Sequence, residues 1–266
     1  MTLTATDGSN NDHSATATVT VVDNIDPTIT APTGVTVNVD AGACSTALSN
    51  VTLGTPTTGD NCSVATTTND APVSFPLGAT TVTWTVTDGS GNTATATQVV
   101  TVVDNIDPTI TAPAAVTVNV DAGACSTALS NVTLGAAATS DNCSVASTTN
   151  DAPSSFPLGN TTVTWTVTDG AGNTTTATQV VTVIDNIDPT ITCPSDITAY
   201  ADATTNGTAV TWSPAIASDN CTIVSLTSDI ASGSTFTLGA TTVTYTATDQ
   251  SRNFVTCTFT VTVLDT

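Results

Sequence analysis

The sequence predicts an all-β chain of tandem two-sheet sandwich repeats, each about 80 residues long. Three observations predict it: a motif that recurs with a fixed period, short β-branched runs in which apolar and polar residues alternate, and no useful length of helical apolar spacing. The period is read from Asp23-Asn-Ile-Asp-Pro-Thr-Ile-Thr-Ala-Pro32, which returns from Asp104 and, with one Ala changed to Cys, from Asp185. The two steps are equal in length. Asp60-Asn-Cys62 likewise returns as Asp141-Asn-Cys143 and Asp219-Asn-Cys221, and Phe75-Pro-Leu-Gly78 as Phe156-Pro-Leu-Gly159 and, more loosely, Phe236-Thr-Leu-Gly239.

Within one period, Val35 to Val39, Thr81 to Thr87 and Thr93 to Val103 alternate with the period of two that a half-buried strand requires. Asp88-Gly-Ser-Gly-Asn92 joins the last two runs as a hairpin turn, its glycines suited to positive φ and its Asp and Asn to local hydrogen bonds. Roughly seven short strands per period fit a sandwich of the immunoglobulin type. Trp84, Trp165 and Tyr245 hold one equivalent position in the penultimate strand and read as core anchors. The chain therefore divides into 25–105, 106–186 and 187–266, preceded by 1–24, where Thr2 to Gly8 and Ala15 to Val22 match only the last two strands of a unit. No secretory leader is visible ahead of them. A lone hairpin is marginal in water, so this segment is either a cut from a longer array or a pair of strands completed by another subunit.

Charge excludes whole classes of partner. The 266 residues carry 22 acidic side chains, all Asp, against one basic residue, Arg252, and one histidine, His13, for a net charge of −21. Nucleic acids and anionic membranes both require Lys or Arg. Every apolar run is broken by Asp, Asn or Thr before it reaches the length of a membrane span. Such acidity can accompany disorder, but 39% hydrophobic content, largely β-branched, argues for packed sheets. An enzyme is not expected: no histidine recurs with the unit, and the 4% aromatic content gives paired aspartates no sugar-binding cleft.

The unit resembles the HYR (hyalin repeat) domain in its Ile-Thr-Cys-Pro opening (Ile191 to Pro194), central Asp-Asn-Cys, Phe-Pro-x-Gly run, Thr-Asp-x-x-Gly-Asn turn and closing Thr256-Cys257 strand. The resemblance covers essentially the whole chain. It implies immunoglobulin-like sandwiches in long surface proteins, adhesins of gliding Bacteroidetes among them, and adhesion or extracellular scaffolding without catalysis.

Comparison of copies sorts the seven cysteines. Cys44 with Cys62, and Cys125 with Cys143, stand at the same short spacing in the first two copies, whereas Cys193 and Cys257 occur together only in the third, replacing Ala31 and Ala96 or Ala112 and Ala177. The expected bonds are 44–62, 125–143 and 193–257, leaving Cys221 free, in an oxidising extracellular or cell-surface setting. Cys44 and Cys62 meet only if the chain folds back between them.

The acidic segments suggest calcium. In a sandwich of this strand order the junction (Asp23, Asn24, Asp26), the turn at Asp60 and Asn61, and the last hairpin turn (Asp88, Asn92) gather at one pole without compensating cations. Ca²⁺, a hard cation taking six to eight oxygens, resolves that repulsion. Equivalent sets are Asp104, Asp107, Asp141 and Asp169, then Asp185, Asp188, Asp219 and Asp249, with Asp70 and Asp151 as completing ligands from a preceding repeat. Asp, Asn and Gly also form ordinary turns without metal, so solvated loops remain the alternative. The function read from the sequence is a non-catalytic structural or adhesive stalk, with neighbouring repeats or identical subunits as partners and an unnamed adhesion target. The alternatives are a subunit of a filament polymerised by strand complementation, or a carbohydrate- or protein-binding module.

Overall fold

A computed structural model describes residues 1–202 and 206–265, which form two compact units. The first comprises Met1–Pro108 with Asp141–Ser144 and Asp169–Asn173; the second comprises Thr109–Ser140, Val145–Thr168 and Thr174–Thr266.

The first unit opens with an antiparallel hairpin, β1 (Thr2–Thr6) and β2 (Asp12–Thr16), whose residues are all exposed. Repeat 1 follows as β3 (Thr28–Thr30), β4 (Val35–Asn38), β5 (Ser45–Ala47), β6 (Thr57–Gly59), β7 (Val64–Asn69), β8 (Ser74–Pro76), β9 (Gly78–Asp88) and β10 (Thr93–Val103). A four-stranded sheet runs β4-β10-β9-β7, with β4 parallel to β10 and the remaining pairs antiparallel. Two short antiparallel pairs, β3-β6 and β5-β8, complete the unit.

There are eight strands per repeat rather than about seven, because the opening run splits at Ala31-Pro32. Proline offers no N–H to a ladder. The chain therefore leaves β3 beside β6 and re-enters as β4 beside β10. Between β5 and β6 lies a single 3₁₀ turn, Leu48–Asn50, and Leu129–Asn131 repeats it; the described residues hold no other helical element. Among the described residues no helix is long and apolar enough to cross a membrane.

Alternation on the two long strands builds the interior. Val82, Trp84 and Val86 of β9 and Gln98, Val100 and Val102 of β10 point inward, joined by Val39, Val51 and Phe75. Phe75 enters from β8 immediately before Gly78, whose φ of 96° permits the sharp turn into β9. In the second unit the body of repeat 2 and the described part of repeat 3 repeat this pattern around separate interiors: Val120, Val132, Phe156, Val163, Trp165, Val181 and Val183 in one, Val210, Phe236, Val243, Tyr245, Phe259 and Val261 in the other. Each period thus closes its own apolar core, and Trp84, Trp165 and Tyr245 are all buried anchors within them.

A glutamine is enclosed in each of the first two cores. Gln98 accepts a hydrogen bond from Trp84 Nε1 (3.0 Å) and donates to the carbonyls of Thr33 and Leu53 (both 2.8 Å); Gln179 repeats this with Trp165, Ala114 and Leu134. The amide therefore ties the opening segment and the β5–β6 connection to the last strand. Truncating it strands a buried indole N–H and two carbonyls, each costing about 1–3 kcal/mol. We expect Gln98→Ala to destabilise repeat 1 by roughly 3 kcal/mol or more, and denaturant melting in which the variant matches the parent would refute this role.

Candidate functional site

Each pole is assembled from three segments distant in sequence. At the first, the chain enters repeat 1 through Asp23, β6 leads into Asp60, and β9 ends at Asp88. The three carboxylates offer oxygens within 4.8 Å of one another, and Asp104, Asp141 and Asp169 reproduce the group.

Local hydrogen bonds dictate this geometry. Asp88 and Asn92 close the hairpin turn: Asp88 Oδ1 accepts from Ser90 N and Asn92 N, and Oδ2 from Asn92 Nδ2 (2.7 Å). The same Nδ2 reaches the carbonyls of Asp23 (3.3 Å) and Ile25 (3.4 Å), pinning the entering junction to the turn. Asp60 Oδ2 accepts from Cys62 N and Ser63 N, and Asp23 Oδ1 from Ile25 N and Asn61 Nδ2. These donors engage both oxygens of Asp88 but leave one oxygen of Asp23 and one of Asp60 over. Asp23 Oδ2 and Asp60 Oδ1, Asp104 Oδ2 and Asp141 Oδ1, and Asp185 Oδ2 and Asp219 Oδ1 are all buried without a hydrogen-bond partner. Asp104 and Asp185 are themselves only 9% and 7% exposed. A buried carboxylate oxygen without a donor is costly, and a pair of them is a place that could hold a divalent cation.

Hydrogen bonding from Ile25 N–H and then from Asn61 holds the Asp23 carboxyl below the ordinary range. At Asp88 burial pushes upward, but Asn92, Ser90 and Gly91 together outweigh it and the net shift is downward; Asp169 behaves alike through Asn173, Gly172 and Ala171. These carboxylates are therefore poised as anions. The Cys62 thiol is pushed up, chiefly by its hydrogen bond to Asp23 and that residue's charge.

Several expected ligands lie elsewhere. Asp26, Asp107 and Asp188 are exposed and belong to none of the three groups, although Asp188 lines the same cleft as Asp219 and Asn220. In repeat 3 the group is Asp185, Asp219 and the sulfur of Cys221; Asp249 is outside it, both oxygens engaged by Asn253. Asp70 and Asp151 do not complete a site. Each accepts from a backbone N–H of the penultimate strand, Thr83 or Thr164 (both 2.6 Å), and so extends the β-ladder with a side chain, as Asp229 does at Thr244. Two further aspartates escaped the sequence reading: Asp40 and Asp121 each anchor the turn into the following strand through a backbone N–H, a threonine hydroxyl and an asparagine amide. The recurrence of Asn50 and Asn131 at one fixed spacing after them was the available signal.

The cysteines correct the sequence reading most sharply. Cys44 bonds Cys143, and Cys125 bonds Cys221, each with Cα atoms 4.7 Å apart; Cys62, not Cys221, is the free thiol. The expected 44–62 and 125–143 bonds are sterically impossible. Cys62 lies at the pole with Asp23, where β10 begins, whereas Asp40 N bonds Ser45 O and Val39 N bonds Val103 O, placing Cys44 where β10 ends. A strand of this length, 11 residues, spans about 33–36 Å, far beyond the ~7 Å Cα limit. Cys44 instead faces the Asp-Asn-Cys loop of the next repeat. There Asn142 Nδ2 donates to Ala43 O (3.0 Å) and Asp104 Oδ1 (3.3 Å), and Asn220 repeats the contact with Ala124 O and Asp185 Oδ1. Cys193 and Cys257 are bonded to each other, Cα atoms 5.8 Å apart, within repeat 3.

Comparison with known proteins agrees with the period. The HYR domain model matches residues 22–102, 103–183 and 184–263. The chain is similar to hyalin of Strongylocentrotus purpuratus, 33% identical over all of this chain and 23% of that protein, and to hyalin of Lytechinus variegatus, 34% identical over 94% and 49%. It thus spans about a quarter and about half of these relatives. Mouse cadherin-23 EC22-24 overlaps 91% of this chain and 99% of its own at 14% identity and a TM-score of 0.37, and the protocadherin γB4 extracellular domain 98% and 59% at 12% and 0.36. Overlaps this weak carry no inference.

The two kinds of disulfide have separable consequences. Cys193→Ser with Cys257→Ser removes a closure inside one core and should destabilise repeat 3 by about 2–5 kcal/mol. Cys44→Ser with Cys143→Ser should leave the intrinsic stability of each repeat nearly unchanged while freeing the joint. Hydrogen exchange resolved by repeat distinguishes them, and equal losses of protection in both variants would contradict the assignment.

Proposed function

Because the chain belongs to the HYR domain family, we propose that it is a segment of a non-catalytic, extracellular, adhesive repeat array whose role is mechanical. The observation that carries this reading is the overlap of two disulfides, which bridge sequence separations of 99 and 96. Cys44 and Cys221 stand in different repeats, yet they are linked through Cys44–Cys143, the short stretch of chain from Cys143 back to Cys125, and Cys125–Cys221. Tension applied across the array passes through that covalent path without unravelling the strands it bypasses. Three disulfides, no Lys and almost no Arg suit an oxidising exterior and a surface that repels its like. The hyalin relatives support the extracellular, adhesive setting.

Calcium fits the poles. Asp23 and Asp60, and Asp104 and Asp141, would hold the ion through oxygens that no protein donor occupies, with Asp88 and Asp169 beside them adding negative charge. The bound cation would neutralise charge at the place where consecutive repeats meet. At the third pole the Cys221 sulfur is locked in a disulfide and is a poor donor for a hard cation, so Asp185 and Asp219 would supply fewer oxygens and bind more weakly.

A second reading, a filament subunit completed by strands from a neighbour, is favoured by one observation: the hairpin β1-β2 is paired only with itself and its Leu3 is 63% exposed. Its partners would be other copies of the chain.

Force spectroscopy tests the mechanical reading. Reduction should lengthen the fully extended chain by the bypassed residues, on the order of 500 Å at ~3.4 Å per residue. Identical extension before and after reductant would refute a covalent load path. For calcium, melting in CaCl₂ at a hundredfold excess over Kd should exceed melting in EDTA by about 2.7 kcal/mol per site, and Asp104→Asn with Asp141→Asn should remove part of that gain. Superimposable melts in the two buffers would discard the ion.

A further inference from the structure

We propose that the Cys62 pole of repeat 1 is the receiving half of a further joint, whose partner is a repeat of the same class presenting an Asp-Ala-Gly-Ala-Cys loop for disulfide bonding to Cys62. The chain shows the finished joint twice. In both, a cysteine on that loop (Asp40 to Cys44, Asp121 to Cys125) bonds the Asp-Asn-Cys cysteine of the following repeat. Cys62 is the third Asp-Asn-Cys cysteine, with the same local frame: Asn61 Nδ2 to Asp23 Oδ1 (3.2 Å) and to its Sγ (3.4 Å), and its own N–H to Asp60 Oδ2 (2.9 Å). It differs only in lacking what a preceding repeat supplies. Asn142 and Asn220 each have a further acceptor on the preceding loop, Ala43 O and Ala124 O, which Asn61 lacks.

Apolar surface at this pole reports the same deficit. Ile106 and Ile187 pack against the core of the repeat before them, whereas their equivalent Ile25 is 57% exposed. Val100 and Val102 are 0% and 1% exposed, whereas Val19 and Val21, one period earlier, are 73% and 91% exposed. The hairpin ahead of them is already in the right register. Leu3 faces Ala15 as Trp84 faces Ala96 and Tyr245 faces Cys257, and Asp7 with Asn11 makes the turn that Asp88 makes with Asn92. Residues 2–22 therefore supply the last two strands of the partner repeat, and what they need is the other sheet. Repeat 3 cannot serve as this partner from a second copy, because Asn206 stands where the bonding cysteine would be and its own closing strands are already in place.

Formation of the bond is a two-electron oxidation. The Cys62 and partner S–H bonds are lost, one S–S bond forms, and a low-molecular-weight disulfide such as oxidised glutathione takes up the electrons and protons to become two thiols. The inference is independent of calcium and of the load path: were Cys62 unreceptive, both observed joints would stand.

The test is the full chain with a copy of residues 106–162 fused ahead of Met1, refolded in a glutathione redox buffer. Peptide mapping should find Cys62 bonded to the added copy of Cys125, with alkylation of Cys62 reduced about tenfold or more relative to the parent, because a disulfide sulfur is not a nucleophile. The single reactive thiol should move to the added copy of Cys143. Serine in place of the added Cys125 should restore alkylation at Cys62. A Cys62 that stays fully reactive beside a folded added repeat overturns the proposal. So does an added segment that fails to fold and scrambles its bonds, since residues 2–22 would then not be the strands it requires.

Discussion

A protein with 22 aspartates and one arginine cannot neutralise its carboxylates with side-chain cations, and that constraint organises everything else. Each carboxylate must take its donors from backbone N–H groups and asparagine amides, which give charge-assisted hydrogen bonds but little compensating charge. Such donors are available only in turns and at strand ends, so the acidic residues concentrate there. Asn92 shows the economy of the solution: one amide satisfies Asp88 and simultaneously holds the carbonyls of the incoming junction. The same knot that closes a repeat therefore fixes where the previous one leaves off. Because neutral donors are exhausted first, an oxygen is left on the junction aspartate and another on the Asp-Asn-Cys aspartate, which is where a divalent cation has something to gain.

Much of this was legible in the sequence, and the reason is periodicity. The recurrence from Asp23 to Asp104 to Asp185 located the repeats, the period-two alternation located β9 and β10, and the equivalence of Trp84, Trp165 and Tyr245 located the cores. The gathering of Asp23, Asp60 and Asp88 also followed, because all three mark strand ends that a sandwich brings to one side. What pattern could not reveal was which end of a strand faces which neighbour. Asp70 has the composition of a ligand and serves as a rung of the ladder; Asp26 sits in the junction motif and points to solvent.

The cysteines show the limit most clearly. Sequence proximity favours Cys62 as the partner of Cys44 and Cys143 as the partner of Cys125, and both members of each such pair occur in the same copy, so pairing within the copy looked sufficient. A repeat whose two ends lie a whole β-strand apart cannot close that bond, and the same two cysteines become the outgoing and incoming halves of successive joints. Counting then changes sign: with two outgoing and three incoming cysteines, the first incoming thiol is left over rather than the last.

Repeat 3 indicates what the buried glutamine does in the other two. In repeats 1 and 2 the opening segment is held to the last strand by Gln98 or Gln179, whose amide bonds Thr33 O or Ala114 O and is itself held by the tryptophan indole. Repeat 3 has Phe259 at that position, and its indole comes from elsewhere: Trp212 packs edge-on against Phe236 and Phe259 and donates to Tyr245 Oη. An aromatic cluster of this kind fills volume but cannot grip a backbone carbonyl. The opening segment is held instead by Asp196, whose Oδ1 accepts from Thr260 N (2.7 Å) on the last strand, and by the bond from Cys193, beside the first strand, to Cys257 on the last. A carboxylate and a disulfide together thus stand where the glutamine clasp stands in the other copies. Covalent linkage thus joins each repeat to the next and adds an internal closure in the one repeat whose last strand carries Phe259 in place of the glutamine.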